Sequence, residues 1–124
     1  MITGTVNSGL EAVVRLSIRG PQSEIEAEAI VDTGFNGALT LPPDLIAKLG
    51  LRSTSRSQAV LADGSEIPVD LYEVLVFWNG RLLRIPVGAA DSDPLLGMAL
   101  LYGHEVAICV LEGGEVSIQD LPFS

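Results

Sequence analysis

The fold is decided by one stretch of the chain, Ala29-Ile30-Val31-Asp32-Thr33-Gly34-Phe35. Apolar, β-branched residues favour a strand up to Val31, and Gly34 can adopt the positive φ that a tight turn requires. Asp32 and Thr33 are therefore expected on a turn that directly follows a strand. Short polar side chains on such a turn are held rigidly and are available for chemistry. An ordinary turn, in which Asp32 bonds its own backbone, has the same pattern, so both interpretations remain open.

Length and composition limit the class of protein. The chain has 124 residues, which predicts a single domain over residues 1–124. Its formal charge of −9, from 16 acidic and 7 basic residues, argues against a nucleic-acid partner. No apolar run is long enough to span a membrane, and the first residues lack the features of a signal peptide. A single cysteine excludes an internal disulfide, so we expect a cytoplasmic protein.

Alternating apolar and polar residues predict half-buried strands over residues 12–19 and 24–31, joined by a turn at Gly20-Pro21-Gln22. The arginines of the first strand and the glutamates of the second are expected to pair across the exposed face of a hairpin. A first helix is predicted over residues 42–50, because proline opens this segment and glycine closes it.

The second half of the chain contains two hairpin signals, Asp63-Gly64 and Asn79-Gly80. Between them, the apolar run 74–78 predicts a buried strand, and Trp78 and Phe77 are expected in the core. A short helix over residues 98–102 and strands over 106–111 and 116–118 complete the pattern. Many short strands with glycine and proline turns predict an all-β barrel or sandwich with one or two short helices.

The order of these features resembles one subunit of a retropepsin-like aspartic protease along nearly the whole chain. The matching features are Asp32-Thr33-Gly34-Phe35, the hairpin tipped by Asp63-Gly64, and Leu95-Leu96-Gly97 before a short helix. The Asp-Thr-Gly-Phe start is more narrowly similar to a bacterial branch of that family. The resemblance implies a closed acid-protease barrel and an endopeptidase acting on a peptide or protein substrate.

Hydrolysis by carboxylates requires one group to accept a proton from water while another donates one, and two carboxylates that share a proton do both. This chain has a single Asp-Thr-Gly, and Asp91 and Asp93 lack the strand-and-turn setting. The second carboxylate must then come from a second copy, which predicts a homodimer with the site at its two-fold axis. No metal or organic cofactor is expected. A shared proton predicts activity at mildly acidic pH, or near neutrality if burial raises the second pKa of the pair.

The resemblance also implies a role for each matching residue. Asp32 would activate the water, Thr33 would bond to the partner's loop, and Gly34 would present its N–H to the carboxylates. The flap that covers the substrate and the support beneath the active-site loop would be formed by Ala62, Asp63, Gly64 and Ser65, and by Leu95, Leu96 and Gly97. By the same analogy, the terminal segments 2–6 and 116–121 would build the dimer sheet.

Each assignment has a simpler alternative. Asp63-Gly64 is equally consistent with any surface hairpin, and Leu95-Leu96-Gly97 with ordinary core. Cys109 lies among apolar residues and is expected to be buried and inert, while His104 is expected at the surface or at a cap. The whole fold could also serve as a non-catalytic binding or dimerisation module, because fold alone does not fix function.

Overall fold

The structure is a computed structural model that describes residues 1–122, and these form ten strands and two short helices. The strands are β1 (Ile2–Val6), β2 (Ala12–Arg19), β3 (Glu24–Val31), β4 (Leu39–Leu41), β5 (Ser53–Val60), β6 (Glu66–Trp78), β7 (Arg81–Ala89), β8 (Leu95–Leu96), β9 (His104–Ile108) and β10 (Glu115–Asp120). The helices are α1 (Pro43–Leu49) and α2 (Met98–Leu101).

The strands form one sheet in the order β5-β6-β7-β4-β8-β3-β2-β1-β10-β9. A further antiparallel pairing joins β6 to β2, through Ser17 opposite Phe77 and Arg19 opposite Leu75. This pairing closes β2, β3, β8, β4, β7 and β6 into a barrel. The prediction of an all-β closed barrel with short helices is therefore confirmed.

Two groups of strands extend from the closed barrel. The hairpin of β5 with the first half of β6 projects from one side, and β1, β10 and β9 continue the sheet beyond β2 on the other. β1 lies between β2 and β10, and β10 lies between β1 and β9. Neither terminal segment has a free edge, which contradicts the expectation that residues 2–6 and 116–121 pair with a second copy.

The predicted turns and caps are present. Asn79 and Gly80 have φ values of 49° and 84° and join β6 to β7 in a two-residue hairpin. Helix α1 begins after Pro42 and ends at Gly50, whose φ of 73° places it in the left-handed region. No helix within residues 1–122 is long and apolar enough to span a bilayer.

The core fills the barrel, and helix α1 contributes Ile46 and Leu49 to it. Its largest fully buried side chains include Trp78, Leu16, Ile18, Leu39, Leu41, Leu49 and Leu96. Phe77 is 42% exposed, with the Arg19 guanidinium 5.4 Å from its ring centre, so its assignment to the core was wrong. β6 alternates between a buried and an exposed face in this region, and Phe77 lies on the exposed one.

The β2–β3 hairpin has the charged outer face that the sequence predicts. Arg15 lies 3.3 Å from Glu26 and 3.6 Å from Glu28, and Arg19 lies 3.5 Å from Glu24. All these side chains are at least 43% exposed, so each pair stabilises the hairpin by only about 0–1 kcal/mol.

Candidate active site

Asp32 follows the last residue of β3 and begins a tight turn. Its backbone N–H donates to the Leu96 carbonyl at 2.9 Å, and its Oδ1 accepts from the Gly34 N–H at 2.9 Å. The Phe35 N–H donates to the Asp32 carbonyl at 3.2 Å, which closes the turn. Asp32 is half-buried, whereas Thr33 and Gly34 are exposed. The carboxylate is thus held by local bonds at the end of a barrel strand while remaining open to solvent.

The segment Leu95-Leu96-Gly97 lies directly beside this turn, as the sequence predicts. β8 pairs in parallel with the end of β3, placing Ile30 opposite Leu95 and Val31 opposite Leu96. On its other side, Leu96 pairs with Leu39 of β4. The two strands that flank the Asp32 turn are therefore joined through β8, which fixes the entry and exit of the turn.

Gly97 has no room for a side chain. A Cβ at this position would collide with the carbonyl oxygen of Gly37 and would lie 2.5 Å from Cδ2 of Phe35. The backbone here is bonded to the same loop, since the Met98 N–H donates to the Phe35 carbonyl at 2.8 Å and the Gly97 N–H to the Ala38 carbonyl at 3.0 Å. The Phe35 ring packs against Gly37 and Gly97 and does not line the pocket at Asp32.

A pocket of about 440 Å³ opens at Asp32. Its walls are mostly apolar and come from β1, the β1–β2 turn, β3, β8 and the end of β9, including Leu10, Ala12, Ile30, Leu95, Ile108 and Val110. Glu11 is the other carboxylate in the wall, and its Oε1 accepts from Asn7 Nδ2 at 3.0 Å. The Asp32 carboxylate thus borders a mostly apolar surface.

A second groove of about 530 Å³ begins at Thr33, the neighbour of Asp32. It runs along helix α2 and the start of β9 and is lined by Met98, Leu101, Tyr102, Val106 and Leu121. Tyr102 is 87% exposed and Met98 47% exposed, so a large apolar surface adjoins the Asp32 turn.

The predicted flap is an exposed hairpin whose turn spans residues 61–65. The Ser65 N–H and Oγ–H both donate to Asp63 Oδ1, at 2.9 and 2.6 Å, and Gly64 has a φ of 86°. The Ser65 side-chain bond, followed by its backbone bond, lowers the pKa of Asp63 below its usual 3.8. None of Ala62, Asp63, Gly64 and Ser65 lines the pocket at Asp32. The structure thus brings together the Asp32 turn and Gly97, and leaves the hairpin tip apart from them.

Of two minor predictions, the one for Cys109 is wrong and the one for His104 is confirmed in part. Cys109 is exposed, because it lies just beyond the last residue of β9 at an end of the strand where Ala107, Ile108 and Val110 are exposed as well. His104 is not a surface residue, since its side chain is only 8% exposed, but it does cap the end of helix α2: its Nδ1 lies 3.2 Å from the Leu101 carbonyl oxygen and 2.9 Å from that of Tyr102. Its Nε2 lies 3.0 Å from Asp120 Oδ1 and 3.1 Å from Trp78 Nε1. Among residues 1–122, no group of three or more His, Cys, Asp or Glu side chains is placed to hold a metal ion.

Leu10, Ile108 and Val110 line the pocket at Asp32, and the sequence did not single them out. Leu10 has a φ of 61° in the turn between β1 and β2 and is 66% exposed, while Val110 is 72% exposed. The available signal was Leu10, an apolar residue directly after the turn residue Gly9. Apolar residues that stay exposed can mark a binding surface.

Solved protease structures are similar to this chain. EIAV protease in complex with the inhibitor HBY-793 aligns with a TM-score of 0.57 and 18% identity, over 78% of this chain and 90% of that one. A retropepsin-like aspartic protease from Rickettsia conorii aligns with a TM-score of 0.63 and 16% identity, over 97% of this chain and 90% of that one. No protein-family profile and no curated protein matches the sequence significantly. With its closed barrel and its Asp32 turn, this chain has the retropepsin-like aspartic protease fold.

Proposed function

We propose that the protein is an aspartic endopeptidase whose site is completed by Asp32 from each of two copies. The observation that carries this proposal is the placement of Asp32, which is bonded to Gly34 and Leu96 at a barrel strand end and faces a mostly apolar pocket of about 440 Å³. A turn with a structural role alone would not require an adjoining pocket. The fold shared with solved proteases supports the same activity.

The proposed reaction uses both carboxylates and one water. The ionised Asp32 accepts a proton from water as the water oxygen bonds to the peptide carbonyl carbon, and the protonated Asp32 donates its proton to the carbonyl oxygen. A proton then passes to the amide nitrogen, the C–N bond breaks, and an acid and an amine leave. Like charges about 3 Å apart cannot both ionise, which keeps one proton on the pair.

The second carboxylate is assigned to a second copy because residues 1–122 offer no equivalent strand-end carboxylate at the pocket. Glu11 comes from a turn rather than a strand end, and its carboxylate is bonded to the side chain of Asn7. Asp91 and Asp93 are exposed and do not line the pocket. Thr33 is next to Asp32 and exposed, which supports the proposal that it contacts the partner's turn.

The hairpin tipped by Asp63-Gly64 is proposed to cover the bound peptide. Its exposed apolar residues support this role, since Val60 is 69%, Leu61 43% and Ile67 42% exposed. In an isolated chain these side chains are partly open to solvent, and an extended substrate beneath the hairpin would bury them further.

Mixing wild-type chains with the variant Asp32→Asn tests both the activity and the shared site. If each site needs Asp32 from two copies, peptide cleavage falls as the square of the wild-type fraction, to about one quarter in an equal mixture. A linear fall contradicts the shared site. No cleavage of a diverse peptide library by the wild-type dimer at any pH from about 4 to 8 contradicts the activity and favours a non-catalytic dimerisation module.

Phe35 supports placing the chain in the bacterial branch whose signature begins Asp-Thr-Gly-Phe. Its ring fills the space between Gly37 and Gly97, where a smaller residue would leave a void beneath the turn. Replacing Phe35 by alanine is therefore proposed to loosen the Asp32 turn without enlarging the pocket itself. The cytoplasmic location remains a prediction from the single cysteine.

A further inference from the structure

The strand edges of the sheet leave few places for a second copy to join. Only β5 and β9 are edge strands among the described residues, because every other strand has a neighbour on both sides. β5 consists mostly of polar residues and belongs to the projecting hairpin. β9 has the sequence His-Glu-Val-Ala-Ile, with Val106 and Ile108 on one face and Glu105 and Ala107 on the other.

β9 also passes beside the Asp32 turn. Ile108 lies in the wall of the pocket at Asp32, and Val106 lies in the groove that begins at Thr33. β9 thus contributes to both apolar surfaces that adjoin the Asp32 turn, and the second of them also includes the exposed side chains of Met98 and Tyr102.

The hydrogen-bonding direction along β9 is fixed by its two ends. The Cys109 N–H donates to the Glu115 carbonyl, and the Gly103 carbonyl accepts from the Leu121 N–H, so these residues bond towards β10. Backbone groups alternate in direction along an antiparallel strand. The N–H and C=O groups of His104, Val106 and Ile108 therefore point outward from the sheet edge.

We infer that two copies join through the outer edges of β9, antiparallel and centred on Val106, and that this pairing brings the two Asp32 turns together. The inference rests on the proposed function, which requires a second copy at the site. Centring on Val106 pairs it with the partner's Val106 and pairs His104 with the partner's Ile108, so all three outward residues are bonded. It also places Glu105 opposite the partner's Ala107, whereas centring on Glu105 would oppose two like charges.

This arrangement differs from one built on chain ends. β10 already occupies the inner edge of β9, and β1 occupies the far edge of β10, so the terminal strands of one copy complete its own sheet. The partner meets only β9, helix α2 and the Asp32 turn. Closure by symmetric pairing also removes an exposed edge that would otherwise favour aggregation.

Opposite charges at position 107 test the register. Ala107 is exposed, so Ala107→Glu and Ala107→Lys should both fold. In the proposed register, residue 107 of each copy faces the partner's Glu105, so each substitution acts twice per dimer. Glutamate at position 107 should therefore raise the dimer Kd by about 2-fold to 30-fold, and lysine should lower it by a similar factor. Because the chain already carries a charge of −9, Ala47→Glu and Ala47→Lys on the exposed side of α1 serve as controls for net charge. Sedimentation equilibrium without substrate gives each Kd.

A charge swap provides a second measurement. The double variant Glu105→Lys, Ala107→Glu places opposite charges across the interface again and should restore a dimer at least as strong as wild type. The β9 interface is overturned if Ala107→Glu has the same dimer Kd as Ala47→Glu, and Ala107→Lys the same as Ala47→Lys. This holds even if peptides are cleaved. If the position-107 variants behave as expected and no peptide is cleaved, the interface stands and the proposed activity fails.

Discussion

Asp32 and Asp63 begin turns with the same local bond, yet the two turns have different surroundings. In each, the aspartate Oδ1 accepts from the N–H two residues later at 2.9 Å, from Gly34 in one and from Ser65 in the other. The Asp32 turn is also bonded to Leu96 and backed by Gly97. The Asp63 turn lies at the tip of a projecting hairpin, with open space around Gly64.

The difference shows that the turn motif supplies a held carboxylate and that the surrounding barrel decides what it faces. Asp32 faces an apolar pocket and adjoins a groove, whereas Asp63 is bonded by its own turn and exposed to water. We therefore expect substitutions at the first turn to remove activity, and equivalent substitutions at the second to change only the hairpin.

The largest expected effect separates the two aspartates. Asp32→Asn removes the group that accepts a proton from water, so we expect kcat for peptide cleavage to fall by at least about 10²- to 10⁴-fold. Asp63→Asn keeps an oxygen that accepts from Ser65 and should leave kcat within a few-fold of wild type. Glu11→Gln, in the wall of the same pocket as Asp32, should also retain activity.

These three variants are compared at equal dimer concentration with one cleaved peptide. Loss of activity in Glu11→Gln equal to that in Asp32→Asn would mean that Glu11 is the second carboxylate and that the site lies within one chain. Equal loss in Asp63→Asn would make the hairpin tip part of the chemistry.

The next largest effect is expected at Gly97 and Gly64, where substitution by alanine lowers the free energy of unfolding. In Gly97→Ala the new Cβ meets the Gly37 carbonyl and the Phe35 ring, and such overpacking costs about 1–3 kcal/mol in the free energy of unfolding. In Gly64→Ala the Cβ meets nothing within 4 Å, but the φ of 86° is strained for alanine, at about 1 kcal/mol. Urea denaturation measures both, and a smaller loss for Gly97→Ala would show that the loop relaxes around it.

Much of the fold could be predicted from residue patterns, because its determinants are local. The Asn79-Gly80 turn, the cap at Gly50 and the Arg15–Glu26 pair follow from residue type and spacing. Phe77 and Cys109 could not be placed, because burial depends on which face of a strand meets the barrel and on where β9 ends.

The candidate site was only half predictable for the same reason. Asp32 and Leu95-Leu96-Gly97 are short motifs, and the structure brings them together through β8. Leu10 and Val110 enter the pocket from distant turns, so only the three-dimensional fold shows them there. The pairing of β1 with β10 was likewise set by long-range register and left β9, not the chain ends, at the edge.

A smaller effect concerns the hairpin as a cover for substrate. Leu61→Ser removes an exposed apolar side chain at the tip, so we expect KM to rise by about 3-fold to 10-fold with kcat and the dimer Kd little changed. Leu82→Ser, a similarly exposed leucine on β7, is the matched control and should leave KM unchanged. Equal effects of both variants on KM would count against a covering role for the hairpin.

The smallest effect concerns the charge of Asp63. Ser65→Ala removes the strongest of the bonds that lower the pKa of Asp63, so that pKa should rise towards 3.8, as measured by carboxyl carbon chemical shifts in an NMR titration. Because the folded pKa is lowered, the ionised carboxylate stabilises the turn above pH 3.8 and this stabilisation is lost as pH falls through the folded value. Wild type should thus keep an ordered tip to lower pH than Ser65→Ala, as seen in amide exchange of the hairpin. An unchanged Asp63 titration in Ser65→Ala would assign the lowered pKa of Asp63 to the Ser65 backbone N–H, which donates to the same Oδ1 at 2.9 Å.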